Sequence, residues 1–336
     1  LNILLTGGLG YIGSHTAVTL ASAGHAVVLL DNLCNSTTDV LDRLERVVGG
    51  RIPFVQCDVR DTAMLEGVLR ARAIDAVIHF AGLKAVAESV AQPIEYYGSN
   101  VQGALSLLQA MASTGARTLV FSSSATVYGE PRYLPLDEAH PLSATNPYGR
   151  TKLHVEQMLA DVAAADSSWR IACLRYFNPV GGHDSGLLGD RPSGTPNNLM
   201  PAIVDAASGR SGALTVHGHD YDTRDGTGVR DYVHVMDLAE GHAAAVRYLA
   251  SHQGWHAFNL GTGQGCSVLD IVRTFEAVSG AAVPYKLAGR RPGDVDRCWA
   301  DASKAGRELG WTARRTLADM CASAWRFHTS SESETS

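Results

Sequence analysis

Apolar residues fall in short unbroken runs along the first half of the chain: Ile3 to Thr6, Ala26 to Leu30, Ile52 to Gln56, Ala76 to Phe80, Thr118 to Ser122 and Ile171 to Arg175. None alternates polar with apolar, so each predicts a strand buried on both faces. Between them lie stretches whose apolar residues recur at helical spacing. The alternation predicts an α/β fold, a doubly wound parallel sheet with helices on both sides. From about Asn178 the pattern breaks into a segment rich in Gly, Pro and Asn that runs to Asn198, followed by shorter mixed elements. The expected division is a sheet domain over 1–178 and a smaller mixed α/β domain over 179–336. The stretch near 229–261, which again reads as helix and strand, is expected to return to the main sheet. No internal repeat or low-complexity tract interrupts this layout.

The turn after the first strand carries Gly7, Gly10 and Gly13 in GxxGxxG spacing and opens a helix whose apolar face continues through Val18 and Leu20. Glycines there permit a tight turn, approach of backbone N–H groups to a pyrophosphate, and close helix-to-strand packing. A three-glycine pattern alone is as often an ordinary turn, and its position between strand and helix gives it weight. The second strand leads into Asp31, where a carboxylate accepts hydrogen bonds from ribose hydroxyls and repels a 2′-phosphate, favouring NAD over NADP. A second cluster, Gly261 to Gly265, lacks that context and reads as a loop before a helix starting near Ser267.

Tyr148 and Lys152 stand at i and i+4 near the start of a predicted helix and project from one face. Phe121-Ser122-Ser123-Ser124 closes the fifth strand, the end at which open α/β sheets place ligands. A free tyrosine titrates near ~10, and a neighbouring ammonium together with a nicotinamide cation would draw the phenol towards working pH as a general base. A lone YxxxK is more often a surface helix. Here the order of motifs along the chain, glycine turn, serine-rich strand end, then YxxxK, overrides that reading.

Composition narrows the field. With 45% hydrophobic and 18% charged residues, 336 residues suffice for a large core. The 28 Lys+Arg against 34 Asp+Glu leave a formal charge of -6, which gives no basic field for nucleic acid. Six scattered cysteines (Cys34, Cys57, Cys173, Cys266, Cys298, Cys321) have neither CxxC spacing nor the density of a disulfide scaffold, and reduced thiols are expected. Among 13 histidines only His217-Gly218-His219 has close spacing, without acidic or thiolate companions, so no metal is expected. The first residues enter an apolar strand directly, with no segment of signal or membrane type. A soluble, cytoplasmic protein without a membrane partner is expected.

At these residues the chain resembles the extended short-chain dehydrogenase/reductase superfamily, of Rossmann-type fold, and within it the bacterial UDP-galactose (UDP-glucose) 4-epimerases. The likeness runs nearly end to end, through Thr6 to Thr16, Asp31 to Ser36, His79 to Val86, Ser122 to Gly129, Arg175 to Gly181, Pro196-Asn197-Asn198-Leu199-Met200-Pro201 and Asp225 to Leu238. The resemblance implies that NAD is surrounded by Tyr11, Ile12, Asp31, Asn32, Leu33, Cys34, Asn35, Ser36, Asp58, Val59, Phe80, Ala81, Gly82, Leu83, Lys84, Ser99, Ser122, Ser124, Tyr148, Lys152 and Phe177. It implies likewise that Ser124, Tyr148, Asn178, Asn198, Leu199, His217, Arg230, Arg291, Asp294 and Cys298 hold the UDP-sugar. Two guanidinium forks and two amides suit a diphosphate, although each Arg alone would more often be a solvated surface residue.

The reaction so implied is inversion at the sugar C4. Tyr148 removes the 4-hydroxyl proton while C4 gives a hydride to NAD, Ser124 aligns the hydroxyl, and the 4-keto sugar turns over before hydride returns to its other face. A homodimer on the helices of Asn100 to Ala112 and Tyr148 to Val162 is implied as well. Three positions depart from the pattern. Cys298 stands where some relatives carry Tyr, which leaves room for an N-acetyl group. Ser99 stands where relatives carry Asn, and His217 where they often carry Phe.

Rival readings keep the same scaffold. A nucleotide-sugar 4,6-dehydratase needs a carboxylate where this chain has Ala125 and Thr126. A 3β-hydroxysteroid-type dehydrogenase would need an apolar second domain. A non-catalytic NAD-sensing protein typically loses Tyr or Lys of the YxxxK pair, and both are present.

Overall fold

The computed structural model describes residues 1–192, 198–291 and 294–333. Pro196 and Asn197 of the run quoted above lie outside them.

The chain alternates β1 (Asn2–Thr6), α1 (Tyr11–Ser22), β2 (Ala26–Asp31), α2 (Asp39–Val48), β3 (Phe54–Gln56), α3 (Thr62–Ala71) and β4 (Ala76–His79). Two short helices, α4 (Val86–Ala91) and α5 (Pro93–Tyr96), run through a π-helical turn (Tyr97–Gln102) into α6 (Gly103–Thr114). Then come β5 (Thr118–Ser124), α7 (Pro147–Ala165) and β6 (Arg170–Tyr176). The remainder supplies β7 (Asn178–Val180), α8 (Leu199–Ala207), β8 (Leu214–His217), β9 (Val229–His234), α9 (Val235–Leu249) and β10 (Gly254–Leu260). It closes with β11 (Gly265–Ser267), α10 (Val268–Ser279), β12 (Tyr285–Ala288), β13 (Arg297–Cys298) and α11 (Leu317–Ser333).

Seven parallel strands form the main sheet in the order β10-β6-β5-β4-β1-β2-β3. The expected α/β class is correct, and its cause is visible in the side chains. Ile3, Leu5, Leu29, Ile78, Val120 and Leu174 pack into one core beneath α1 and α9, whereas Leu4, Val28, Val77, Leu119, Phe121 and Ile171 pack into another against α3, α6 and α7. Both faces of the inner strands are buried, which leaves little room for polar residues and makes their apolar runs continuous, whereas the edge strand β3 has no fully buried residue.

The later region is split. β10 adds to the main sheet beside β6. β9 instead pairs with β7, β11 and β13, while β8 pairs with β12. Their core centres on Ile203, Val216, Tyr232, Ile271 and Phe275, with Met320 and Cys321 from α11. The second glycine cluster is a loop that cradles a carboxylate. Buried Asp231 accepts hydrogen bonds from the N–H groups of Thr262 and Gly263, both at 2.9 Å, and of Ala300 at 3.1 Å. A Cβ on Gly261 would sit 2.6 Å from the same carboxylate. α10 follows, capped by the Ser267 hydroxyl and the Asp270 carboxylate in a reciprocal box. No described helix is long and apolar enough to cross a membrane.

Candidate active site

The site is built on the C-terminal ends of the main strands. β1 passes into the glycine turn, where Gly7 adopts φ +67 and lies so close to the β4 loop that a Cβ would come 2.7 Å from the Ala81 nitrogen. A Cβ on Gly13 would collide with the Gly7 carbonyl oxygen. Gly8, which the spacing argument passed over, is as constrained: its own Cβ would come 2.9 Å from the Leu5 carbonyl oxygen. α1 starts from Gly10 without a side-chain cap and without an acidic residue in its first turn. Among the described residues no side chain caps its leading N–H groups, the arrangement a pyrophosphate requires.

At the end of β2 the Asp31 carboxylate is only 7% exposed and is held by Leu9 N–H at 3.1 Å, Leu33 N–H at 2.9 Å and the Ser36 hydroxyl at 2.9 Å. Leu33 adopts φ +63 to make that turn. Asn32 bridges to Asp58, donating through Nδ2 at 3.0 Å, and accepts from Cys34 N–H. Arg60, not anticipated from sequence, grips Asp58 through Nε and Nη2 at 2.8 and 2.9 Å and holds that carboxyl well below its ordinary range. Ile12 and Phe80 pack against the first core, and Val59 lies in the second. These residues fit a dinucleotide: a glycine turn with no room for side chains, an uncapped helix start, and a fixed carboxylate one strand away.

The β4 loop carries Phe80, Ala81, Gly82 and Lys84. It is fixed by Asn100, buried just after Ser99 in the π-helical turn, whose amide accepts from Leu83 N–H at 2.8 Å and donates to Thr151 on α7 at 2.9 Å. Lys84 lies 4.0 Å from Asp190, and Asp190 accepts from Asn198 at 3.1 Å, so one carboxylate joins the cofactor loop to the segment assigned to substrate.

α7 begins at Asn146, whose side chain accepts from Gly149 N–H at 2.8 Å, and this cap sets Tyr148 and Lys152 on the face towards β5. Lys152 is 5% exposed and donates through Nζ to the Ser122 carbonyl at 2.7 Å, 4.9 Å from the Phe121 ring centroid and 5.9 Å from that of Tyr148. Burial lowers its pKa to about 8, and the Glu156 carboxylate on the next turn opposes the fall. Tyr148 is half-buried. Burial raises its phenol and a hydrogen bond with Ser124 opposes that rise, so in the chain alone desolvation outweighs the pull expected from the ammonium. Ser124 Oγ in turn accepts from Thr126 N–H at 3.2 Å and the Thr126 hydroxyl at 3.0 Å. Thr126 mattered to the sequence reading only as a position without a carboxylate; it orders Ser124.

Below these residues Glu156 and Arg175, each 2% exposed at the side chain, form a 2.6 Å ion pair, and the Ser123 hydroxyl donates to Glu156. Neither was singled out from sequence. Phe177 lies in a small cluster with Val127, Tyr128, Leu136 and Ala300, against which Cys298 packs.

Cys298 on β13 is in register with Arg230 on β9. Arg230 donates to the Val229 carbonyl at 2.9 Å, and Arg291 pairs with Asp294 at 3.0 Å. The charges of Arg230, Arg291 and Asp294 all act on Tyr221 and Tyr232, which brings the three expected residues to one place. His217 ends β8, Asn178 opens β7, and Asn198 precedes α8, whose first residue is Leu199.

Comparison with known proteins agrees with this arrangement. The family model for GDP-mannose 4,6 dehydratase matches residues 4–324. The chain is 53% identical to the UDP-glucose 4-epimerase of Bacillus subtilis (strain 168) over 328 residues, 98% of this chain and 97% of that protein. It superimposes with a TM-score of 0.97 and 49% identity on the Stenotrophomonas maltophila UDP-glucose-4-epimerase with bound NAD and formylated UDP-arabinopyranose, covering 99% of each chain. The Bifidobacterium longum UDP-glucose 4-epimerase in complex with NAD+ and UDP gives 0.96 and 49%, again over 99% of both.

Proposed function

The chain belongs to the UDP-glucose 4-epimerase family, and from that premise we propose the residues by which it works. It is an NAD-dependent isomerase that interconverts UDP-galactose and UDP-glucose. What supports the assignment of roles is the joint placement of Tyr148, hydrogen-bonded with Ser124 at the C-terminal end of β5, and Lys152, held on the Ser122 carbonyl of the same strand.

NAD is held by the glycine turn of Gly7, Gly10 and Gly13, by Tyr11 and Ile12, by Asp31 to Ser36, by Asp58 and Val59, by Phe80 to Lys84, and by Ser99, Ser122, Lys152 and Phe177. When bound it supplies reversible acceptance of a hydride. The Tyr148 phenol oxygen takes the proton of the sugar 4-hydroxyl and later returns it. Ser124 Oγ, itself oriented by Thr126, fixes the direction of that hydroxyl. Lys152 brings the one ammonium to the phenol and lowers the barrier to its ionisation. Asn178, Asn198, Leu199, His217, Arg230, Arg291 and Asp294 anchor the UDP, leaving the hexose few contacts, so a 4-keto sugar turns within the pocket without leaving. Cys298 faces the sugar and admits an N-acetyl group, so UDP-GlcNAc and UDP-GalNAc are also substrates.

Residues 1–178 make up the cofactor region and 179–336 the substrate region, with β10 returned to the main sheet. The family model is named for a dehydratase, but Ala125 and Thr126 follow Ser124 where elimination needs a carboxylate. Exposed Leu105 on α6 supports a homodimer through α6 and α7. Six unpaired cysteines support a reducing, cytoplasmic setting.

The decisive assay is product analysis with UDP-galactose, together with Tyr148→Phe. UDP-glucose is the expected product; loss of water from the sugar, or no conversion at full NAD content, would defeat this reading.

A further inference from the structure

Asp190 stands between the residues assigned to the two ligands and belongs to neither set. Its side chain is 13% exposed and lines the same cavity as Tyr11 at the start of α1 and Met200 at the start of α8. One carboxylate oxygen lies 4.0 Å from the Lys84 ammonium, and the other accepts from Asn198 Nδ2 at 3.1 Å. Tyr11 and Lys84 are assigned above to NAD and Asn198 to UDP, two anionic ligands that a nearby carboxylate opposes by charge. Its presence calls for a role that offsets the repulsion.

The geometry of Asn198 shows what that role is. Asn198 holds the N-cap position of α8 with extended backbone (φ -95, ψ 151), where an asparagine oxygen ordinarily accepts from the N–H groups of the first turn. Here its side chain makes no cap bond. A carboxylate only accepts, so the amide turns Nδ2 towards Asp190 and its oxygen is drawn off the helix. Pro201 has no N–H to be capped, and the Met200 N–H is left uncovered by the amide. We propose that Asp190 is a positioning residue for UDP binding: it holds the Asn198 amide away from the start of α8, so that the second N–H of Nδ2 serves the diphosphate. The inference rests on the proposed UDP site and adds the group that aims one of its anchors. The Lys84 ammonium, on the other oxygen, counters the charge that Asp190 would otherwise turn on the phosphates.

The test is UDP binding by calorimetry to the NAD-loaded protein as wild type, Asp190→Ala, Asp190→Asn, Asn198→Ala and the Asp190→Ala/Asn198→Ala double variant, each with a thermal midpoint. Asp190→Ala should bind UDP about three- to tenfold more weakly, the effect of a side chain that must be ordered on binding. Its thermal midpoint should equal or exceed that of wild type, because the released Asn198 amide can turn back and cap α8. Asp190→Asn, whose oxygen accepts the same bond, should restore the affinity. In the Asn198→Ala background, loss of Asp190 should add nothing, since it acts through that amide. Unchanged or tighter binding in Asp190→Ala, with Asn198→Ala impaired, overturns the inference and leaves the site standing. Additive losses in the double variant overturn it too, as does weaker binding with a lower thermal midpoint, the mark of a packing role. If Asn198→Ala binds UDP as tightly as wild type, Asn198 is no UDP anchor, and the inference falls with that assignment.

Discussion

Lys152 and Glu156 occupy successive turns of one buried face of α7, and the carboxylate opposes the loss of charge that burial imposes on the ammonium. Glu156 is in turn pinned by Arg175 and Ser123. His79, also packed near the ammonium, is kept neutral by burial first and by Lys152 second, with its pKa lowered to about 3. Among the described residues, Glu156 is therefore the one charged partner that favours the protonated form of Lys152.

Glu156→Gln removes that partner. The Lys152 pKa then falls below about 8, and the alkaline limb of the rate profile, where the ammonium is lost, moves to lower pH. The variant also loses roughly 3–5 kcal/mol of stability, because Arg175 remains buried without its counter-ion. The pH dependence of kcat and urea unfolding read the two effects separately; an unmoved alkaline limb in folded protein would show that Glu156 acts on stability alone.

Tyr148→Phe removes the phenol proposed above to move the hydroxyl proton. Turnover of UDP-galactose should drop by about 10²–10⁴-fold while NAD remains bound, the range for one general acid–base group. Absorbance of released NAD after denaturation checks the second half of the statement.

Gly13→Ala drives a methyl into the Gly7 carbonyl oxygen, and backbone does not yield as a flexible side chain would. The variant should purify with NAD content reduced at least about tenfold, in line with a displaced phosphate turn. Full NAD content in folded protein would show that the turn relaxes.

Cys298→Tyr fills the space beside Phe177 and Arg230 with a larger ring. Conversion of UDP-GalNAc should fall at least about tenfold more than conversion of UDP-galactose, since steric exclusion discriminates by added volume. Equal losses on both substrates would remove Cys298 from the question of size.

Four buried histidines give the fold an acid limit. Burial lowers His15, His234 and His242 to about 4 and His79 to about 3, from 6.5. Between those values the unfolded chain binds more protons than the folded one, so stability rises with pH. It is complete above about 6.5 and lost progressively as pH falls through 6.5 towards 4. Urea midpoints measured from pH 8 to 4 should decline mainly below 6.5; a flat curve would mean that these rings are paired in ways that tolerate charge.

The main strands could be read from sequence because burial on both faces leaves little room for polar residues, and the placement of Tyr148, Lys152 and Asp31 at strand ends or a helix start because each sits in a local motif. What escaped notice is long-range or very short. Asn100 joins Leu83 to Thr151, and Glu156 joins Ser123 to Arg175; no local spacing announces such pairs. β13 is two residues long, too brief for any periodicity, yet it sets Cys298 beside Arg230. Arg60 lies two residues from Asp58 and was open to inspection, but a single surface arginine carries no signal until its partner's role is known.

The position of β10 also governs how the molecule can be divided. β6 is covered on one side by β5 and on the other by β10, which the chain supplies only after leaving the sheet between Tyr176 and Gly254. A fragment ending at residue 178 would leave β6 as an open edge, its unpaired N–H and C=O groups flanked by Ile171, Ala172, Cys173 and Leu174, all fully buried in the intact protein. Such an edge pairs with other chains. The cofactor half should therefore aggregate when expressed alone, and swinging the two halves wide apart would mean tearing a parallel strand out of the sheet.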